Sequence, residues 1–223
     1  DFADLEESNE EVYERPSIVR EQWPKDVDVN SELTEAEQRE VRQLLEEFAD
    51  VLSDVPGLTN VLEHEIKTVT ETPIRTKQYP MPYAMLDKVN EEVTQMLEQG
   101  FIQPSQSPYC SPSVMVKKKD GTYRFCIDMR AINNVTVFDA EPMPNAETMF
   151  AQFAGYKYFS KIDLTKGYWQ IPLKETSRCK TAFQTPKGLF EFTVMAFGLV
   201  TAPASFSRMM RVVLKDMDNA DNF

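Results

Sequence analysis

A chain of 223 residues, 42% apolar and 11% aromatic, has material for one sizeable core with or without an arm. It has no apolar run near the roughly 20 residues of a membrane span, and Asp1-Phe2-Ala3-Asp4-Leu5-Glu6-Glu7 is too acidic for a signal or transit peptide. This predicts an intracellular protein of cytoplasm or nucleus. The net charge of −12 argues against a polyanionic partner, yet residues 1–54 hold 18 acids against 5 bases while residues 101–215 hold 15 bases against 8 acids, so the objection rests on the N-terminal stretch alone.

Residues 1–30 are polar and aperiodic, with Pro16 and Pro24 as breakers, which predicts a linker. Thr34-Glu35-Ala36-Glu37 is a capping box. It opens an amphipathic helix over about 34–52, because Val41, Leu44, Leu45, Phe48, Val51 and Leu52 recur at helical spacing until Pro56-Gly57. The stripe is expected to pack rather than to bind a partner. Residues 61–82 alternate and carry β-branched residues and prolines, which suits an extended, edge-like strand. A second helix follows, with Leu86, Val89, Val93, Met96 and Leu97 on one face and Gly100 where a C-terminal cap belongs. Met96 and Leu97 are expected in the core.

Residues 112–137 read as a hairpin: Ser113-Val114-Met115-Val116-Lys117, a turn at Lys119-Asp120-Gly121-Thr122, and Tyr123-Arg124-Phe125-Cys126-Ile127-Asp128 returning. A short helical stretch from Asn145 to Phe153 leads to Tyr156-Lys157-Tyr158-Phe159-Ser160-Lys161-Ile162-Asp163, aromatic and β-branched enough to predict a strand. A second hairpin is expected from Thr181-Ala182-Phe183-Gln184-Thr185 and Leu189-Phe190-Glu191-Phe192-Thr193-Val194 around Pro186-Lys187-Gly188. A last helix has Pro203 near its first turn and Phe206, Met209, Met210, Val213 and Leu214 on one face. Cys110, Cys126 and Cys179 form no C-x-x-C pair and lie far from the one histidine, His64, so free thiols are expected rather than a zinc site.

Asp163 stands out between Ile162 and Leu164. Burying an ionised carboxylate costs several kcal/mol unless it is paired or holds a cation, so it is expected at a strand end facing a metal, a cationic partner or water. Three blocks give it company: Tyr123-Arg124-Phe125-Cys126-Ile127-Asp128-Met129-Arg130, then Asp163-Leu164-Thr165-Lys166-Gly167-Tyr168-Trp169-Gln170-Ile171-Pro172-Leu173, then Phe197-Gly198-Leu199-Val200-Thr201-Ala202-Pro203-Ala204-Ser205-Phe206. In this order they resemble the fingers and palm of reverse transcriptases, most closely those of gypsy-type LTR retrotransposons, over roughly residues 60–223.

The resemblance implies an α+β right-hand polymerase fold, with 1–54 an acidic arm, 55–140 a fingers-like segment and 141–223 a partial palm, stopping before the family's aromatic-x-Asp-Asp hairpin. It implies RNA-directed DNA synthesis by two-metal nucleotidyl transfer in a full-length form, with Mg2+ or Mn2+, deoxynucleoside triphosphates and an RNA or DNA template-primer. Asp163 and the Leu164 carbonyl would then be metal ligands. Arg124 and Lys117 would contact the triphosphate, with Lys118 as the fallback because hairpin lengths vary. Tyr168 would lie under the sugar, and Phe197 and Gly198 would line the nucleotide and template pocket. Lys118, Lys119 and Arg130 are weaker candidates for nucleic-acid contact. Where many retroviral enzymes carry Gln this chain has Phe197, so packing must replace a side-chain hydrogen bond. With no Asp-Asp pair, little activity is expected of this chain alone, along with possible self-association of the palm. The alternative is a catalytically dead remnant or nucleic-acid-binding module.

Overall fold

The computed structural model describes residues 27–215 other than 144, 146, 148, 149 and 152, so most of the expected 1–30 linker and part of the 145–153 stretch lie outside the described residues. The chain divides into two compact units, Asp1–Gly57 and Leu58–Phe223. In the first, helix α1 (Glu35–Glu47) opens on the expected capping box: Thr34 N donates to Glu37 Oε2 at 2.8 Å and Glu37 N to Thr34 Oγ1 at 3.3 Å. A 3₁₀ turn at Ala49–Val51 ends the segment. No residue of α1 is buried, and Leu44, Phe48 and Val51 are exposed.

The second unit is built on a five-stranded sheet in the order β1-β5-β4-β2-β3. Its strands are β1 (Ile102–Pro104), β2 (Ser111–Lys117), β3 (Tyr123–Ile127), β4 (Phe183–Thr185) and β5 (Gly188–Phe192). Both expected hairpins form, β2/β3 and β4/β5, and a short parallel pairing of Ser111 with Phe183 joins them. Strands from either side of residue 140 thus share one sheet. Helix α2 (Leu86–Glu98) lays Val89, Val93 and Met96 into the core. It ends in a Schellman motif, Phe101 N donating to Met96 O and Gly100 N to Leu97 O, each at 2.9 Å, which needs Gly100 at φ 67°. The core centres on Phe101, Ile171, Leu173, Phe183 and Met195, all almost fully buried.

Two short helices, α3 (Arg130–Asn133) and α4 (Glu175–Arg178), precede the final helix α5 (Ala202–Val213), which starts with Pro203 in its first turn. Met209 of the expected stripe is buried, and Phe206 and Met210 pack on the core, but Val213 is exposed. Residues 61–82 are extended without forming a strand. They touch the fold through isolated bridges, His64 to Leu173, Thr68 to Thr136 and Arg75 to Cys110, because Pro73, Pro80 and Pro82 remove the donors a ladder needs.

The predicted strand at 156–163 is absent. These residues carry no secondary structure, and Tyr158, Phe159 and Ile162 are exposed, Ile162 by 86%. Strand propensity acts only through a paired neighbour, and no described strand lies beside this segment.

Candidate functional site

The β2/β3 hairpin sets where its cations point. Val116 pairs with Arg124 and Lys117 with Tyr123, and Lys118 N donates to Thr122 O at 2.7 Å. Side chains alternate between the faces of a strand, and directly paired residues share a face. Lys117 and Arg124 therefore stand on opposite faces, and Lys118 shares the face of Arg124. Lys119, in the turn, is exposed.

Asp163 is exposed, in irregular backbone just before a tight turn. Lys166 takes the left-handed φ of 47°, rare for a side chain with a Cβ, and starts the 3₁₀ turn Gly167–Gln170. This turn points two rings inward. Trp169 lies 4.6 Å from the Phe101 ring centroid and 5.9 Å from that of Phe197, with the Lys166 Nζ 4.3 Å from its own centroid. Burial pulls the Lys166 ammonium below its ordinary value and pushes the Tyr168 hydroxyl above its own. Tyr168 sits between Phe197, at 5.3 Å, and Phe206, which meets it edge-on at 5.5 Å. The packing that must stand in for a hydrogen bond at Phe197 is thus a pair of tilted ring contacts with Tyr168 and Trp169. Such aromatic pairs contribute about 0.5–1.5 kcal/mol each beyond area burial.

Arg124, Phe197 and Gly198 line one cavity of about 490 Å³, with Met96, Trp169 and Phe192 among its other walls. Gly198 has φ 91°, a conformation glycine adopts freely, and its carbonyl accepts from Asn133 Nδ2 at 2.7 Å. The same amide accepts from Val200 N at 3.0 Å through Oδ1. Asn133 therefore holds the loop that presents Phe197. The sequence reading missed it, although an Asn at the end of a short helix just after the Arg124 strand was a usable signal.

Arg130 is highly exposed and fixed in place. Its Nε donates to Asp128 Oδ1 at 2.8 Å and its Nη2 to Asp128 Oδ2 at 2.6 Å and to the Tyr79 hydroxyl at 3.1 Å. These bonds hold the Asp128 carboxyl well below the usual carboxylate range. Arg208 and Arg211, on α5, bind carboxylates. Arg208 Nη2 bonds both oxygens of Asp139 at 3.1 Å and Glu141 Oε2 at 2.9 Å, and Arg211 Nη1 lies 2.6 Å from Glu141 Oε1.

Among the described residues the ligand set for a metal is incomplete. Among the described residues no three His, Cys, Asp or Glu side chains come together as a metal site, and Asp163 makes no ion pair. One carboxylate and a neighbouring carbonyl do not make up the donor set of two hard cations. The three cysteines are free thiols, as expected. No helix among the described residues is long and apolar enough to cross a membrane.

Residues 116–223 match the family described as reverse transcriptase (RNA-dependent DNA polymerase). The retrovirus-related Pol polyprotein from transposon 297 of Drosophila melanogaster is 40% identical over 166 residues, covering 72% of this chain and 16% of the polyprotein. That from transposon opus, also of Drosophila melanogaster, is 38% identical over 184 residues, 79% of this chain and 18% of the polyprotein. The chain thus spans well under two thirds of these relatives. Its fold is similar to that of the prototype foamy virus protease-reverse transcriptase, with TM-score 0.78 at 23% identity over 89% of this chain and 27% of that one. A foamy viral protease-reverse transcriptase in complex with RNA/DNA hybrid gives TM-score 0.75 at 23% identity, over 88% and 26%. By these shared blocks, and with this α+β polymerase fold, the chain belongs to the reverse transcriptase family, as a segment homologous to the Pol polyproteins of gypsy-type transposons.

Proposed function

We propose that the second unit selects and holds the incoming deoxynucleoside triphosphate in RNA-directed DNA synthesis. The observation that carries this is the convergence of Arg124, Phe197 and Gly198 on one cavity, with the Tyr168 ring 5.3 Å from that of Phe197. Arg124 offers a planar guanidinium for phosphate oxygens, and Lys118, on its face of the hairpin, is the second cation in preference to Lys117. Tyr168 forms the floor under the sugar, where its ring would collide with a 2′ hydroxyl. Lys119 and Arg130 reach toward the backbone of an RNA or DNA template-primer. Asp163 and the Leu164 carbonyl are the part this chain contributes to holding Mg2+ or Mn2+. The free thiols suit a reducing compartment, cytoplasm or nucleus.

The test has two parts. The 223-residue chain should bind an RNA/DNA hybrid with an affinity that falls as salt rises, and should extend a primer no better than background; salt-independent binding or clear extension contradicts the reading. A chimera carrying residues 58–223 in place of the matching segment of the transposon 297 polyprotein should extend primers, with Arg124→Ala raising the KM for deoxynucleotide. An active chimera in which Arg124→Ala leaves that KM unchanged would remove Arg124 from the proposal.

A further inference from the structure

We infer that Gly167 is a positioning residue for sugar selection, because the space it leaves open seats Phe206 against the Tyr168 ring. This rests on the reading of Tyr168 as the floor under the sugar. Gly167 is not among the residues with positive φ, so the backbone does not require glycine there, unlike at Gly100 and Gly198. Space requires it. A Cβ at 167 would lie 2.9 Å from Phe206 Cε2 and 3.3 Å from its Cζ, closer than carbon atoms pack. Helix α5 cannot easily retreat, since Ser205, next to Phe206, is tied to buried His64 Nδ1 at 2.7 Å. The Phe206 ring must therefore turn, and it meets Tyr168 edge-on at 5.5 Å, while the Tyr168 ring also lies 5.3 Å from that of Phe197. A methyl group added at 167 is passed through Phe206 to the ring that reads the sugar, although residue 167 presents no side chain to the nucleotide.

The first measurement is made on the 223-residue chain by NMR. Gly167→Ala should move the Tyr168 ring resonances, identified by their loss in Tyr168→Phe, while the chain keeps its cooperative melt; unmoved resonances overturn the inference. The second uses the chimera and the ratio of deoxynucleotide to ribonucleotide incorporation. Gly167→Ala should change that ratio by roughly tenfold or more, toward the roughly hundredfold that an ångström of misplacement can cost, and Gly167→Ala with Phe206→Leu should bring it back toward the parent value. If Tyr168→Ala leaves the ratio unchanged, the reading of Tyr168 fails and takes this inference with it. If Tyr168→Ala changes the ratio and Gly167→Ala does not, the inference alone fails.

Discussion

At the scale of single residues, the candidate site depends on register and on one amide. The β2/β3 pairing sets Arg124 opposite Val116 and puts Lys117 on the other face of the hairpin. In the chimera, Lys118→Ala is expected to raise the KM for deoxynucleotide about tenfold or more, the loss of one charge-assisted hydrogen bond, with Lys117→Ala near the parent value. Steady-state kinetics with both variants decides, and the reverse order would return Lys117 to the phosphates. Asn133 bonds Gly198 O and Val200 N with the two ends of one amide. Asn133→Asp keeps the acceptor and turns the donor into an oxygen facing a carbonyl. It should destabilise the 223-residue chain by about 1–2 kcal/mol in urea unfolding, and a neutral result would mean that the loop holds itself.

At the scale of elements, local signals and tertiary packing parted company in instructive places. The capping box of α1 is complete in backbone and side chain. Thr34→Ala should weaken that helix by about 1 kcal/mol, seen as faster amide exchange over residues 35–47 with residues 58–215 unchanged. The hairpins formed where turn residues separate alternating runs, since both halves of each ladder are adjacent in sequence. The segment 156–163 has equal strand propensity and no strand beside it among the described residues. Its Phe159 meets Phe153, which meets Phe150, and all three rings are exposed; apolar surface of this kind favours association. Sedimentation of the 223-residue chain should show self-association that grows with concentration, and a monomer throughout would contradict this.

At the scale of the whole molecule, His64 couples the extended 61–82 segment to α5. It is 1% exposed, bonds Ser205 Oγ at 2.7 Å and lies 3.3 Å from Thr201 Oγ1, and burial is the main cause that lowers its pKa to about 4. The folded state therefore binds fewer protons than the unfolded one below the ordinary histidine value. Its full stability is present above about pH 6.5 and falls as pH drops toward about 4, by about 3 kcal/mol from this group. Urea unfolding from pH 7 to 4 checks this, and His64→Gln should flatten the slope in that window. The sequence alone determined what depends on neighbours along the chain: the capping box, the Gly100 stop, both hairpins, and the three blocks whose length made the family legible. Only the tertiary structure decided what depends on contacts made at a distance. The residues 163–170 and 197–206 meet through the ring contacts of Tyr168 with Phe197 and Phe206, which no local period encodes. The amide of Asn133 reaches across more than sixty residues to Gly198. The faces of Lys117 and Lys118 follow from strand pairing, where a shift of one residue reverses every side chain. Gly167 reads in sequence as an ordinary turn glycine, and only the packed position of Phe206 shows that its missing Cβ is the feature that matters.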